Sequence, residues 1–484
     1  MSNLSELLPT GGGQNAVDFV ATGNLASGQA VALKADGTVE AITGVTAGVG
    51  AESVFTNAYV NYVSSAYDSV NQKVVVVYQD NGNAQYGTAV IGTVSGSSIS
   101  FGTPVVYNSA ATQFPAITFD STNNKIVSAY YYWNGSANQG TAIVGTVSGT
   151  SISFGTAAAM ASSVPTYISI VYDANAQKVV VTYRDAGNSD YGTSIVGTVS
   201  GTSISFGTAA VFNTANIGDP VSTYDATAGK VVSVYYDAGN ANLPTAVVGT
   251  VSGTSISFGS KVVFGATVLD NYAIGYDSTA GKVVIAYRDT SNSNYGTAAV
   301  GTVSGTSISF GAPVVFESAN VAYLSATFDS SANAIAIAYT DNGVASFGTA
   351  ISGTVSGTSI SFGSPVVFNA ANTLSKATCY DSTAQKVVIS YRDAGNSNYG
   401  TSVVFTTGSS NNTSFIGITS EAISNTATGA VNVYGGINAV QTGLTIASDY
   451  YVQSDGTLST ASASPAIKVG QAVSATTINM KDLT

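Results

Sequence analysis

The stretch GTVSGTSISFG occupies Gly145–Gly155 and recurs along the chain. Each copy consists of two short runs of β-favouring residues joined by Ser-Gly-Thr-Ser. Glycine at the first position of a two-residue loop suits a type II′ turn, because φ is positive there. The phrase therefore predicts a β-hairpin. Further identical copies begin at Gly197, Gly249, Gly301 and Gly353, and a copy with Ser97 in place of Thr begins at Gly92.

A second marker, an aromatic residue followed by Asp, returns with the same period of 52 or 53 residues. Each period contains four short strand signals, named A, B, C and D here in chain order, and the repeated phrase joins C to D. Four antiparallel strands in each repeat are typical of a β-propeller. We therefore predict an all-β fold containing a seven-bladed β-propeller with four-stranded blades. The markers are Asp68, Asp120, Asp173, Asp225, Asp277, Asp329 and Asp381.

The last repeat stops after its C strand, but a matching D strand precedes the first repeat. Ser53–Val60 resembles Pro365–Asn372, and Phe55 and Phe368 each lie 13 residues before a marker aspartate. We expect this N-terminal strand to complete the last blade. Closure of that kind removes the exposed edges of an open sheet.

The segments on either side of the repeats each contain a strand, an Asp-Gly turn and a second strand, at Ala30–Ile42 and Tyr450–Ala461. We interpret them as two halves of one small β-domain that carries the propeller in a loop. The predicted organisation is an N-terminal arm (1–14), the first half of the base (15–50), the propeller (51–409) and the second half of the base (410–484).

These flanking segments, including LASGQAVALKADGTVEAITG (25–44) and IKVGQAVSATTINMKDLT (467–484), resemble the small β-domain of tailed-phage virion structural proteins of the fibre or capsid-decoration type. The resemblance implies a virion protein, assembled in the host cytoplasm, that binds other virion proteins through its base. It also implies a homo-oligomer, commonly a trimer. The C-to-D hairpin resembles the Asp-box of sialidase-like (BNR-type) propellers in position only, because the Asp and Trp of that motif are missing.

Charge and hydropathy exclude several classes of partner. The net charge is −12 and 8% of residues are charged, so the chain is a poor ligand for phosphate backbones and we expect no nucleic-acid partner. The N-terminus lacks the pattern of a secretory signal, and no apolar run has the length of a membrane span. We expect the single cysteine, Cys379, to be a buried apolar residue.

Few residues in the repeats suit acid–base catalysis. The chain has no histidine, and Glu317 is the one glutamate inside the repeats, so a glutamate pair for glycoside hydrolysis is missing. Arg184, Arg288 and Arg392 occupy equivalent positions beside a Tyr and an Asp, which favours strand-end ion pairs over an arginine cluster. We predict no catalytic residues and no enzymatic activity. The alternative is a polysaccharide depolymerase acting through propeller aspartates.

The B-to-C loops RDAGNSDYG (Arg184–Gly192), RDTSNSNYG and RDAGNSNYG are rich in oxygen ligands that could bind Ca²⁺. Asn and Asp in turns more often bond their own backbone, so we assign no cofactor and keep calcium as the alternative. The seven marker aspartates are expected to cap turns in the same way.

The D-to-A and B-to-C connections differ between repeats and lie on one face, which we expect to point away from the base. Variable loops on a rigid scaffold often carry binding sites, although relaxed constraint on solvent loops also gives variation. Exposed aromatic rings stack on sugars, so this face is a candidate for attachment to host-surface glycans, and a purely structural decoration protein is the further alternative. Core packing explains each ring individually about as well. The candidate residues are Tyr62, Phe114, Tyr167, Tyr272 and Tyr323 in D-to-A loops and Trp133 in a B-to-C loop.

Overall fold

The computed structural model describes residues 15–34, 36–133, 135, 138–161, 164–265, 269–410, 412–453, 455–462 and 467–481, without the side chains of 161, 269, 270, 409, 410 and 413. The N-terminal arm (1–14) lies outside the described residues. The chain divides into two compact units, Gly48–Thr407 and a two-part unit of Met1–Ala47 with Gly408–Thr484. Among the residues described, nearly all regular structure is β-strand, with short 3₁₀ turns at Ala238–Asn240 and Asn412–Ser414. Within the described ranges, no helix is long and apolar enough to cross a membrane.

In the larger unit, one pattern of antiparallel pairing repeats seven times along the described residues: A pairs with B, B with C, and C with D. The B strands are Lys73–Asp80, Lys125–Trp133, Lys178–Asp185, Lys230–Asp237, Lys282–Asp289, Ala334–Asp341 and Lys386–Asp393. The C strands are Tyr86–Ser95, Asn138–Ser148, Tyr191–Ser200, Leu243–Ser252, Tyr295–Ser304, Phe347–Ser356 and Tyr399–Thr406.

The D-to-A connections were predicted as loops, and in most repeats this is wrong. Val314–Asp329, for example, is one continuous strand that pairs first with C of one repeat and then with B of the next. A strand that changes partners keeps its backbone groups hydrogen-bonded, which an irregular loop does not achieve. The continuous strands are Ser53–Asp68, Val105–Asp120, Ala210–Asp225, Val314–Asp329 and Val366–Asp381. The separate D and A strands are Ala158–Ala161 with Pro165–Asp173, and Val262–Val263 with Leu269–Asp277.

The predicted type II′ hairpin is confirmed. The glycine of each C-to-D loop has φ between 59° and 61°, whereas the following Thr or Ser is not among the described residues with positive φ. The strand after this turn is a separate outer part of D that pairs with the end of C. These outer parts are Ser98–Phe101, Ser151–Phe154, Ser203–Phe206, Ser255–Phe258, Ser307–Phe310 and Ser359–Phe362.

The N-terminal strand completes the last repeat, as its sequence register predicted. Ser53 and Val54 pair with Ser402 and Thr401 of the last C strand. Phe55 beside them is 5% exposed, and its ring lies 5.1 Å from that of Tyr78. The short strand Gly48–Val49 pairs with the end of the same C strand, at the place where the other repeats have an outer D strand.

Apolar B and C strands provide the core, and polar side chains close the turns. Each B strand contributes one almost fully buried tyrosine, and the core clusters join apolar residues of successive repeats. The marker aspartates are buried turn caps, as predicted. Asp277, for example, accepts hydrogen bonds from the backbone N–H groups of Thr279 and Ala280, both at 2.9 Å. Cys379 is a buried free thiol, also as predicted.

The smaller unit contains a closed five-stranded barrel built from both ends of the chain. Its strands are Ala16–Thr22, Ala30–Leu33, Val39–Ala41, Phe415–Thr419 and Thr428–Val433. A five-stranded sheet follows, formed by Ile437–Asn438, Asp449–Val452, Leu458–Ser459, Ile467–Ala472 and Ile478–Asn479, and Gly44–Val45 pairs with Ser409–Ser410. Both predicted Asp-Gly hairpins are present. Their glycines, Gly37 and Gly456, have φ of 83° and 82°.

Candidate functional site

Each A strand has a β-bulge near its start, opposite the buried tyrosine of strand B. In the first repeat the pairing shifts between Asn61 and Ser64, so that Tyr62 and Val63 together face Tyr78. The first bulge residue has a left-handed backbone with φ between 47° and 52° in every repeat. It lies six positions before the marker aspartate. The seven residues, called the rim residues below, are Tyr62, Phe114, Tyr167, Asp219, Asn271, Tyr323 and Ser375.

The left-handed conformation costs roughly 1–2 kcal/mol for most residues that have a Cβ, and less for Asn and Asp. None of the seven rim residues is glycine, so the fold retains this strain at seven equivalent positions. A β-bulge redirects a side chain away from its ordinary alternation, and such strain is concentrated at functional sites. The bulges turn the rim side chains toward a shared space.

That space is a cavity of about 370 Å³, lined by all seven rim residues and by their neighbours along the strands. Three of the rings form a continuous aromatic arc: the centroids of Tyr62 and Phe114 are 4.8 Å apart, and those of Phe114 and Tyr167 are 5.0 Å apart. Tyr167 and Tyr323 are 38% and 44% exposed, so part of each side chain remains accessible to a ligand. The volume is at the lower end of the range for small-molecule pockets.

The polar rim residues tie neighbouring A strands together. The backbone N–H of Tyr323 donates to Oδ1 of Asn271 at 3.2 Å, and the N–H of Val63 donates to Oγ of Ser375 at 2.8 Å. Burial raises the pKa of Tyr62, with smaller contributions from neighbouring tyrosines. These contacts give the cavity a rigid, mostly uncharged rim.

A second cavity of about 310 Å³ is lined by residues from all seven A strands and shares six lining residues with the first. Neighbouring A strands also bond each other along it. The N–H of Thr378 donates to Oγ of Ser325 at 3.0 Å. The two cavities therefore form one axial space between the seven A strands, with the rim residues at its mouth.

Five of the six predicted site residues line the first cavity, and four of these lie at its mouth. Tyr62, Phe114, Tyr167 and Tyr323 are rim residues, whereas Tyr272 is the second bulge residue of its repeat and is 5% exposed. Its side chain packs into the core toward Phe264, with ring centroids 6.4 Å apart.

Trp133, at the end of strand Lys125–Trp133, is 51% exposed and does not line the cavity. The prediction missed Asp219, Asn271 and Ser375, because it searched for aromatic rings. All seven rim residues could have been identified from the sequence, because each lies six residues before a marker aspartate.

Two of the three arginines at equivalent repeat positions contact tyrosine rings. The guanidinium of Arg184 lies 4.7 Å from the ring centroid of Tyr167, and its Nε forms an ion pair with Asp190 at 3.4 Å. Arg392 lies over the ring of Tyr59 and donates to its hydroxyl at 2.9 Å. These two arginines belong to different repeats and contact different tyrosines. Arg184 forms a strand-end ion pair of the kind that the sequence favoured.

The loop aspartates that could have bound calcium cap their own turns. Oδ1 of Asp393 accepts from the N–H of Gly395 at 2.9 Å, and Oδ1 of Asp289 accepts from the N–H of Ser291 at 3.0 Å. Among the described residues, no three acidic, cysteine or histidine side chains are grouped to hold a metal ion. This geometry is that of the Asx turns that the sequence favoured, with calcium as the alternative.

No protein family matches this chain by sequence, and no curated protein matches it either. Solved structures are similar in fold. The BP39L lectin from Burkholderia pseudomallei superposes with a TM-score of 0.52 at 10% identity, covering 70% of this chain and 94% of the lectin. A Dyadobacter fermentans protein of unknown function gives 0.44 at 11% identity, covering 74% and 98%. The leech intramolecular trans-sialidase gives 0.42 at 10% identity, covering 73% and 68%. The similarity to the lectin supports a lectin-like β-propeller fold.

Proposed function

We propose that the larger unit is a carbohydrate-binding head whose ligand enters the mouth formed by the rim residues. The observation that carries this proposal is the convergence of seven strained, equivalent positions on one cavity, four of them aromatic. The electron-rich face of an aromatic ring attracts the polarised C–H groups of a sugar ring. Asn271 and Ser375 add polar groups beside those faces.

We further infer that the seven strand groups are the blades of one seven-bladed β-propeller, closed between the N-terminal strand and the last repeat. The shared axial cavity and the pairing of Ser53 with Ser402 support this count. An experimental density map that showed six or eight blades would contradict it.

The test of carbohydrate binding is a glycan array followed by affinity measurements on the strongest ligand. Tyr167→Ala and Tyr323→Ala should each weaken binding about 2- to 13-fold, on the scale of 0.5–1.5 kcal/mol for one aromatic contact. Tyr59→Ala is the matched control, because Tyr59 is 42% exposed and does not line the cavity. A ligand whose affinity falls with Tyr59→Ala but not with the rim variants would contradict the proposed location.

The biological setting that we propose is a virion of a tailed phage, with the smaller unit holding the head on the particle. The support is the sequence resemblance of the flanking segments, and several copies per particle would raise a weak affinity through avidity. Immunogold labelling and mass spectrometry of purified particles test this setting. A chain absent from such particles would refute the virion role and leave carbohydrate binding to be judged by the array.

The enzymatic alternative remains a depolymerase acting through aspartates. Asp219 is the one carboxylate among the described side chains lining either axial cavity, whereas glycoside hydrolysis ordinarily uses a pair of carboxylic acids. The side chain of Asp270 lies outside the described residues. Release of reducing sugar from host polysaccharide, abolished by Asp219→Asn, would favour the enzyme over the binding head.

A further inference from the structure

We propose that Lys376 binds the oxyanion of an acidic sugar that enters through the rim. This inference rests on the proposed function and specifies its ligand class: a saccharide bearing a carboxylate, sulfate or phosphate group. Lys376 follows Ser375 as the second bulge residue of the seventh A strand. It lines the axial cavity beneath the mouth and is 9% exposed.

The sequence of the other repeats shows that a lysine at this position is unusual for the fold. The equivalent residues carry no charge, and five of the six are apolar: Val63, Pro115, Ile168, Pro220, Tyr272 and Leu324. Burial of an amine is costly unless its charge is compensated. The fold places an uncharged side chain at this position six times and a lysine once, so the lysine requires a reason other than packing.

Lys376 has no carboxylate partner among the described side chains. Nζ donates to the carbonyl oxygen of Thr373 at 2.8 Å and to Oγ1 of Thr340, which are both neutral acceptors. Across the described side chains, no carboxylate oxygen lies within 4.0 Å of Nζ. Burial holds the pKa of this amine well below its usual range. A bound oxyanion favours the charged ammonium form, which has three donors, so one N–H then remains for a ligand oxygen.

The amine also lies within reach of the mouth. Nζ is 5.6 Å from the ring centroid of Tyr323, one of the two most open rim residues. A sugar stacked on Tyr323 would therefore bring a substituent close to Nζ. An oxyanion there would form a charge-assisted hydrogen bond, which is roughly twice as strong as a neutral one.

Asp219 should set the orientation of the bound sugar. It belongs to the fourth A strand and Lys376 to the seventh, so they lie on opposite sides of the ring of seven strands. A carboxylate repels an oxyanion and Lys376 attracts it, so the acidic group should point toward the seventh strand.

The experiment compares the binding of glucuronate with that of glucose at constant ionic strength. Glucose 6-sulfate, glucose 6-phosphate and inorganic sulfate are tested as further ligands. Protein labelled with ¹³C at lysine Cε gives a direct readout on the intact chain, with the Lys376 signal assigned from Lys376→Met. Glucuronate should shift this signal and bind about tenfold or more tightly than glucose. Lys376→Met should abolish the preference, and Asp219→Asn should increase it. Lys282→Met is the control, because Lys282 bonds Oγ1 of Thr302 and lines neither axial cavity.

The outcomes separate this inference from the proposed function. A preference for glucuronate that survives Lys376→Met, or a Lys376 signal that no oxyanion shifts, overturns the inference. Neutral glycans that bind through Tyr323 without any acidic preference overturn it as well, while carbohydrate binding stands. An array without any bound glycan, together with a Lys376 signal that shifts with inorganic sulfate, refutes carbohydrate binding and supports the oxyanion site. The sulfate and phosphate arms identify which oxyanion the site prefers.

Discussion

Truncation of Phe55 tests whether the N-terminal strand closes the last repeat in solution. The side chain is 5% exposed and contacts Tyr78 and Phe101, with ring centroids 5.1 and 5.6 Å away. It also covers Gly400 of the last C strand so closely that a Cβ on Gly400 would lie 2.1 Å from its ring. Phe55→Ala removes this packing and leaves a cavity, so it should cost about 3–5 kcal/mol.

The expected decrease in melting temperature follows from this free-energy cost and from the unfolding entropy of the unit. At about 2.1 cal/mol/K for each residue, a unit spanning Gly48–Thr407 has an unfolding entropy near 0.8 kcal/mol/K, so Tm should fall by roughly 5 °C. Circular dichroism melting measures the shift. Phe368→Ala is the matched control, because Phe368 holds the same position one repeat earlier and is also 5% exposed.

Equal losses of Tm would support closure by the N-terminal strand. Hydrogen exchange in residues 399–406 should also become faster in Phe55→Ala, since that C strand would lose its cover. A decrease in Tm with Phe368→Ala alone, and an unchanged Tm with Phe55→Ala, would refute the reasoning.

Three further predictions concern buried polar groups. Asp277→Ala should lower the free energy of unfolding by about 1–3 kcal/mol in urea titrations, because two backbone N–H groups lose their acceptor; a loss no larger than that of Asp36→Ala at an exposed turn would contradict this. Burial raises the pKa of the Cys379 thiol to about 12, so iodoacetamide at about pH 8 should label it only in denaturant, and labelling of the native protein would be evidence against its burial. Burial also raises the pKa of Glu317, so the folded state holds this proton more tightly than the unfolded state does. Stability should therefore decrease as the pH rises from about 4.3 through the folded pKa, and Glu317→Gln should flatten that dependence; an identical pH profile for both proteins would exclude the effect.

The local sequence was sufficient for the parts of the fold that depend on short-range chemistry. Gly201 and its equivalents required positive φ, and the hairpins follow from that requirement. The marker aspartates cap their own turns within three residues, so their role could be seen without tertiary structure. The register of Phe55 against Phe368 predicted even a long-range pairing, because an exact internal repeat makes one part of the chain a template for another.

The candidate site was predictable only in part. Aromatic residues marked Tyr62, Phe114, Tyr167 and Tyr323, but the same criterion selected Tyr272, whose side chain packs into the core. It also selected Trp133, which lies away from the cavity. A residue type does not tell whether a side chain is turned into the core or out of it. That choice is made by the bulge, which shifts the alternation of the strand by one residue.

The sequence by itself determined the repeating unit, its turns and the strand that joins the ends, because each depends on backbone conformation over a few residues or on an internal match. Only the tertiary structure decided that seven separate bulges meet around one cavity, and that Lys376 lies beneath Tyr323 without a carboxylate nearby among the described residues. These relations join residues of different repeats. They arise from the packing of the A strands against one another, which no spacing along the chain specifies.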